Sequence, residues 1–377
     1  MTFTQELIAN YSLYKEQRIS GRYIHLKHIS PLLEMYTDTF KIDIVGNSVL
    51  EKPIQKLTIG HGKFKVLMWS QMHGNESTTT KAVFDMLSYL SKNKSFYEFI
   101  TSNFTLCIIP MLNPDGAEAY TRLNSNEVDL NRDAQNRTQP ESNVLRAVFN
   151  DFQPDFCFNL HDQRTIFSVA NTHKPATVSF LTPAEDADRK VTNGRKKSME
   201  VIAEMNKLLQ RFIPGQVGRY DDGFNLNCIG DTFQSEGVPT ILFESGHFPK
   251  DYEREETRKF IAFSIVSGLE YMASGEVTGE NYESYFDIPE NGKLFYDVVL
   301  RKFPIQEKSE IIFKDVAIFF KETLKNDKIE FMPTVEHVDE SLEYIGHKEL
   351  DMRNVEINPI PIHELTNGYL TDLLRKI

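Results

Sequence analysis

Four residues of this 377-residue chain, His73, Glu76, His161 and Glu244, combine types and placement that could do chemistry. His73 and Glu76 stand three apart in His73-Gly74-Asn75-Glu76. Before them is a short apolar run at residues 64–69, and after them Ser77-Thr78-Thr79-Thr80 opens a segment with Ala82, Val83, Met86, Leu87 and Leu90 at helical spacing. The motif is therefore expected on a loop from a strand into a helix, where an imidazole and a carboxylate can point at one ion. His161 and Glu244 each close an apolar run of strand length, Phe156-Cys157-Phe158-Asn159-Leu160 and Thr240-Ile241-Leu242-Phe243. Two neutral imidazoles and one carboxylate leave the fourth position of a tetrahedral zinc ion open, the ligand count of a catalytic site and not of a structural one. Glu244 is then a spare carboxylate, suited to take a proton from water and return it to a leaving nitrogen. The plainer alternative makes these residues polar strand ends, with Glu244, ahead of Ser245-Gly246, a helix cap.

The elements that must position them follow in order. An amphipathic helix is expected within residues 1–50, then a hairpin of Phe40 to Val45 with Ile54 to Ile59 around the turn Gly46-Asn47-Ser48. The run Phe104 to Pro110 reads as a buried strand, and Asn113-Pro114-Asp115-Gly116 as a turn by composition. The loop through Tyr120 to Asp133 is denser in polar residues than a connector needs, and a helix follows with Val144, Leu145, Val148, Phe149 and Phe152 on one face. A long helical pattern over Arg189 to Phe212, a polar loop from Arg219 to Asp231 and a helix from Asp251 to Ala273 complete the sequence. Strand, loop, helix and strand in this succession predict an α/β fold, a doubly wound, mixed and mostly parallel sheet flanked by helices.

With 377 residues the chain is expected to hold one large domain and a smaller one. The catalytic domain is placed at 1–274, a boundary at Gly275 to Gly279, and a smaller C-terminal β-rich domain at 280–377. That second part carries short alternating runs at Leu294 to Leu300, Ser309 to Phe313, Val316 to Lys321 and Ile329 to Met332, then an amphipathic stretch from Leu370 to Ile377.

A net charge of -12 without a basic stripe argues against a nucleic-acid partner. No apolar run is long enough to cross a bilayer, and the start lacks the pattern of a signal peptide, so a cytoplasmic protein is expected, with no membrane partner. Cys107, Cys157 and Cys228 are odd in number and read as reduced thiols.

In order and chemistry, Met72-His73-Gly74-Asn75-Glu76, Asn113-Pro114-Asp115-Gly116, Asp129-Leu130-Asn131-Arg132-Asp133, His161 and Ile241-Leu242-Phe243-Glu244 resemble the zinc carboxypeptidase superfamily, over roughly residues 20 to 275. The resemblance implies one zinc ion per chain on His73, Glu76 and His161, with Glu244 as general base and acid. It implies that Asn131 and Arg132 hold the substrate's terminal carboxylate, which a planar guanidinium fits with two hydrogen bonds. It also implies that Arg122 polarises the scissile carbonyl and that Tyr220 is the mobile residue covering the substrate. The activity implied is removal of a carboxyl-terminal residue from a peptide. The short spacing from Glu76 to His161 is similar to a compact microbial or cytosolic branch, and Asn159-Leu160-His161-Asp162 resembles the related N-acyl amino acid deacylases, the aspartoacylase and succinylglutamate desuccinylase group. The substrate is thus expected to be a peptide or an N-acyl amino acid with a free carboxylate; a zinc-dependent protein that binds peptide ends without turnover is the third reading.

The implied specificity pocket falls near Ile229-Gly230-Asp231, apolar or acidic according to which residue faces it. Arg132 has an alternative use in pairing with Asp129 or Asp133. Asp231 and Arg164 read equally as substrate contacts or as supporting and surface groups. His25, His28, His61, His173 and His247 are read as solvated or capping residues.

Overall fold

The apolar runs that precede the chemistry-bearing residues pair edge to edge in the computed structural model, which describes residues 1–275 and 277–376. Helices α1 (Phe3–Ala9), α2 (Tyr11–Tyr14) and α3 (Leu26–Met35) lead to strands β1 (Lys41–Asn47), β2 (Pro53–Ile59) and β3 (Phe64–Ser70). Next come α4 (Thr78–Lys92), α5 (Lys94–Asn103), β4 (Phe104–Ile109), α6 (Pro114–Ala119), α7 (Pro140–Phe152) and β5 (Phe156–Asp162). Strands β6 (Phe167–Val169) and β7 (Val178–Leu181) precede α8 (Asn193–Leu209), β8 (Val217–Arg219), α9 (Ile229–Ser235), β9 (Thr240–Ser245) and α10 (Glu255–Ser274). The remainder is β10 (Asn291–Lys293), β11 (Phe295–Glu307), β12 (Glu310–Lys325), β13 (Lys328–Asp339), β14 (Ile345–Asp351) and α11 (Asn367–Lys376).

Eight strands form one mixed sheet in the order β1-β2-β4-β3-β5-β9-β7-β8. Its centre, β4-β3-β5-β9, is parallel, while β1, β2 and the β9-β7 junction are antiparallel. Both faces are covered, so the central strands are apolar on both sides. Along β3, Val66 and Met68 enter the larger core, with α4, α8 and α10, while Leu67 and Trp69 enter the other core, with Leu145, Phe149 and Phe233. The mixed helix-flanked sheet is the predicted fold.

The chain divides into two compact units, one holding residues 1–163 and 176–291, the other 164–175 and the residues from Gly292 on. The stretch Gly275 to Gly279, read as a boundary, falls within the first unit, apart from Glu276, which lies outside the described residues. In the second unit β13-β12-β11 are antiparallel and β14 lies parallel to β11, over a core that includes Val298, Leu300, Phe303, Ile318 and Leu370. The β-rich character expected there is present, with longer strands. The runs 309–313 and 316–321 are one strand, because Asp315 between them accepts the N–H of Lys302 at 3.0 Å and pairs with Arg301 at 3.0 Å beside a bulge. The closing amphipathic stretch is helix α11, its last expected residue, Ile377, lying outside the described residues.

Two readings by composition are corrected. Asn113-Pro114-Asp115-Gly116 starts a helix, not a turn: the Asn113 side chain accepts the N–H of Gly116 at 2.9 Å, and Pro114 takes the first helical position, where its missing N–H is not needed. The loop expected from Arg219 to Asp231 ends early, because Ile229 to Asp231 form the first turn of α9.

Behind the sheet, Lys81 on α4 is fully enclosed, its Nζ 2.6 Å from Glu255 and 3.0 Å from the carbonyl of Glu253. Burial lowers its pKa from 10.5 to about 8 against the pull of Glu255. Between those values the unfolded chain binds a proton that the folded one has released, so stability rises with pH across that window. Below it the buried ammonium costs on the order of 3 kcal/mol. Lys81→Met is expected to be the more stable protein near pH 7 and to lose its advantage toward pH 10, as read from urea midpoints; parallel midpoints at every pH would refute this.

Candidate metal centre and active site

Strand β3 ends at Ser70, and Gln71 takes a left-handed backbone (φ 49°) that turns the chain sharply. Its side-chain amide donates to the carbonyls of Ile24 (2.7 Å) and Gly74 (2.8 Å), holding the loop shut. A Cβ on Gly74 would lie 1.9 Å from the carbonyl carbon of Gly116, so this loop and the start of α6 touch backbone to backbone. Asp162 accepts the N–H of Thr78 at 2.9 Å, tying the end of β5 to the start of α4. The two segments that carry His73-Glu76 and His161 are thereby fastened to each other.

The outcome is convergence. His73 Nδ1 lies 2.8 Å from Glu76 Oε1, His161 Nδ1 lies 2.8 Å from Glu76 Oε2, and the two Nδ1 atoms are 3.2 Å apart. All three side chains are buried. Asp129 lies 3.1 Å from the far nitrogen of His73, Nε2; a proton on Nε2 donated to that carboxylate would leave the Nδ1 lone pair for a metal ion at the cluster. Two buried nitrogens and a carboxylate facing one point, one imidazole backed by a second carboxylate, fit a zinc ion. Burial works against a charge on His73, but Glu76 and Asp129 outweigh it and raise its pKa. On Asp129 the same interactions, with Arg122, overcome burial and hold the carboxyl well below the usual range.

Glu244 reaches the site through strand register. On the parallel pair β5 and β9 it stands directly opposite His161. One of its carboxylate oxygens, Oε2, is buried without a hydrogen bond. Burial, followed by the charges of Glu76 and Asp162, pushes its carboxyl well above the usual range. Arg122 donates to Glu76 Oε1 and Asp129 Oδ2, both at 3.1 Å, with its side chain half exposed.

Asn131 and Arg132 lie on the same loop as Asp129, next to α9. The Asn131 oxygen accepts the N–H of Ile229 at 3.0 Å, which leaves its NH2 group for another acceptor. Arg132 donates to the carbonyl of Asn131 (2.6 Å) and to Cys228 Sγ (3.2 Å). Neither alternative carboxylate takes it: Asp129 is committed to His73 and Arg122, and Asp133 to the backbone of Thr138 and Gln139. Tyr220 follows β8, two strands from β9, its N–H bonded to the carbonyl of Phe180 at 3.0 Å.

Asp129 is the residue that sequence reasoning used only as a rival partner for Arg132. Its place two before Asn131 was the available signal, but its bond to His73, 56 positions away, is tertiary. Asp129→Asn is expected to weaken zinc binding by roughly 10- to 100-fold, measured by competition with a chromogenic chelator; unchanged affinity would show that the carboxylate does not orient His73.

The zinc carboxypeptidase profile matches residues 26–222, just over half of the chain. The chain belongs to the zinc carboxypeptidase family. The match contains all three candidate zinc ligands and ends before Glu244. Among curated relatives, the chain is similar to gamma-D-glutamyl-L-diamino acid endopeptidase 1 of Lysinibacillus sphaericus, 29% identical over 125 residues. That stretch is 29% of this chain and spans 32% of the relative's length. Solved carboxypeptidases share the fold at low identity. The metallo-carboxypeptidase of Burkholderia cenocepacia aligns with a TM-score of 0.54 and 17% identity, over 67% of this chain and 70% of that one. Carboxypeptidase A of Helicoverpa armigera gives 0.53 and 15%, over 72% and 81%. The metallo-carboxypeptidase of Pseudomonas aeruginosa, solved with (2-guanidinoethylmercapto)succinic acid, gives 0.50 and 16%, over 66% and 68%.

Proposed function

We propose that this chain is a zinc-dependent carboxypeptidase that hydrolyses the last peptide bond of a peptide with a free carboxyl end. The observation that carries the reading is the guanidinium of Arg132, which bonds the Asn131 carbonyl and Cys228 through one nitrogen and pairs with no carboxylate among the described residues, beside the Asn131 amide on the loop whose Asp129 backs the candidate ligand His73. A peptide's terminal carboxylate supplies what that pair lacks. His73, Glu76 and His161 would hold one zinc ion, which when bound supplies Lewis-acid chemistry at the scissile carbonyl.

The rest is done by the chain's own groups. Arg132 and Asn131 fix the carboxylate and so set which bond lies against Glu244. Glu244 takes a proton from the attacking water as its oxygen bonds to the carbonyl carbon, then delivers that proton to the nitrogen as the carbon–nitrogen bond breaks. Arg122, whose fork reaches Glu76 and projects partly into solvent, meets the negative charge that develops on the carbonyl oxygen. Tyr220 is assigned the cover over the bound substrate, with its own loop as the moving part.

The curated relative is named for a γ-D-glutamyl–L-diamino acid bond, and peptides with that linkage belong among the substrates tried. The test is amino-acid release by the zinc-loaded protein from oligopeptides, their carboxyl-amidated forms, γ-glutamyl peptides and N-acetyl or N-succinyl amino acids. Release is expected from free-acid peptides, with amidation costing roughly 10- to 100-fold in kcat/KM. Turnover of the N-acyl amino acids alone would establish the deacylase reading, and peptide binding without turnover would make the protein a recognition module.

A further inference from the structure

Both ends of the loop that carries His73 and Glu76 are braced by one short stretch, Arg22-Tyr23-Ile24, which lies between α2 and α3 outside any helix or strand. At the start of the loop Gln71, fully buried, directs its amide to the carbonyls of Ile24 and Gly74, while its oxygen accepts from the Thr80 hydroxyl at 3.0 Å. At the end Ser77, also fully buried, stands where a serine ordinarily caps a helix by accepting a backbone N–H. Its hydroxyl instead donates to the carbonyl of Arg22 at 2.5 Å, and Asp162 accepts the N–H of Thr78 in its place. Between the two, the Tyr23 hydroxyl donates to the carbonyl of Glu118 at 2.7 Å, on α6, the helix against which Gly74 is pressed. Three successive residues thus meet the beginning of the loop, its end and the helix beneath its middle.

That stretch is itself anchored in the helical layer behind the sheet. Asp85 of α4 and Arg258 of α10, both fully enclosed, pair at 2.5 Å. Asp85 accepts the N–H of Glu16 at 2.7 Å, and Arg258 donates to the carbonyls of Glu16 and Ile19, each at 2.8 Å. Glu255 accepts the N–H of Gly21 at 3.0 Å. The zinc carboxypeptidase match begins at residue 26, so this strap, residues 16–24, lies ahead of it. We infer that the strap is the support on which the metal-ligand loop is set, with Gln71 and Ser77 as positioning residues that hold His73 and Glu76 converged before an ion arrives. The inference rests on the zinc centre of the reading above and not on its hydrolytic step. A loop that moves off the strap breaks hydrogen bonds at both of its ends at once, which is costly where the groups are enclosed. Binding to a loop that is converged only part of the time is weakened by that fraction. Without the braces, a converged population of about 1–10% would weaken the ion roughly 10- to 100-fold.

The test needs no turnover. Zinc affinity, by competition with a chelator, and the visible spectrum of the cobalt-substituted protein are measured for the wild type, Gln71→Met, Ser77→Ala and Tyr23→Phe, the last of which changes the strap and leaves the loop intact. At a temperature where each is folded, Gln71→Met and Ser77→Ala are expected to weaken zinc roughly 10- to 100-fold and to alter the cobalt bands, which report ligand geometry. Tyr23→Phe, short of one hydrogen bond, is expected to weaken zinc roughly fivefold. A purely structural role predicts a lower Tm with zinc affinity and cobalt spectrum unchanged in the folded protein, and that result in Gln71→Met and Ser77→Ala overturns the inference. If neither loop variant folds, Tyr23→Phe decides: weakened zinc supports the strap's role and wild-type affinity overturns it. Zinc held by the wild type and loosened in the variants, with no peptide cleaved, keeps the positioning role while the hydrolytic reading falls. A wild type that takes up neither zinc nor cobalt overturns both.

Discussion

Replacing His161 with alanine is expected to cost the protein its zinc and at least roughly a thousandfold in kcat/KM, the largest single effect foreseen here. The reason is geometric. His161 Nδ1 stands 2.8 Å from Glu76 and 3.2 Å from His73 Nδ1, and no other imidazole or thiol joins that cluster among the described residues. Loss of a ligand must exceed the 10- to 100-fold cost of losing a group behind a ligand. The fold should survive, because Asp162 and not His161 caps α4 and joins the strands. Stability gives a second readout. Zinc at about 1,000 times its Kd should stabilise the wild type by about 4 kcal/mol and leave His161→Ala unmoved. An alanine variant that keeps stoichiometric zinc and an upward shift of Tm would mean that the ion, if one binds, sits elsewhere.

Glu244→Gln should separate binding from catalysis. It stands opposite His161 with a buried, unbonded Oε2, and in the proposed reaction it is the group that carries a proton between water and the leaving nitrogen. Glutamine preserves shape and cannot accept that proton. The expectation is a fall of roughly 100- to 10,000-fold in kcat with zinc content retained and KM changed little. The amide also relieves the repulsion among Glu244, Glu76 and Asp162, so the variant should melt no earlier than the wild type. Should kcat hold while KM alone rises, Glu244 would be a substrate-binding group and the proton carrier would have to be sought elsewhere.

Much of the centre was legible because each of its parts is local. An apolar run followed by His-Gly-Asn-Glu, another closed by histidine and a third closed by glutamate announce themselves as strands leading to polar residues. The same local reasoning misjudged Asn113-Pro114-Asp115-Gly116, where turn composition and helix-start composition coincide and only the cap bond from Gly116 to Asn113 distinguishes them. It divided β12 at Lys314-Asp315, because the carboxylate's partners, Arg301 and Lys302, lie on the neighbouring strand. It also kept residues 164–175 with the first domain, although that segment, three residues past His161, packs with the second unit, where the carbonyl of Thr165 accepts from His347 at 2.8 Å.

Read along the chain alone, the residues named the candidates: which side chains are suited to ligate zinc, which loop carries a guanidinium and an amide, and that a mostly parallel sheet would bring strand ends together. Those properties depend on residue type and on periods of two and 3.6, which neighbours along the chain express. Tertiary structure alone decided who meets whom. The register of β5 on β9 sets Glu244 against His161, the closure of the 120–133 loop sends Asp129 to His73 and Arg132 to Cys228, and the seating of α9 brings Gly230 against Asn159. A strand slipped by one residue would turn Glu244 to the opposite face with almost no change in local pattern. Pairing energies between distant segments, which no local window contains, therefore settle the site.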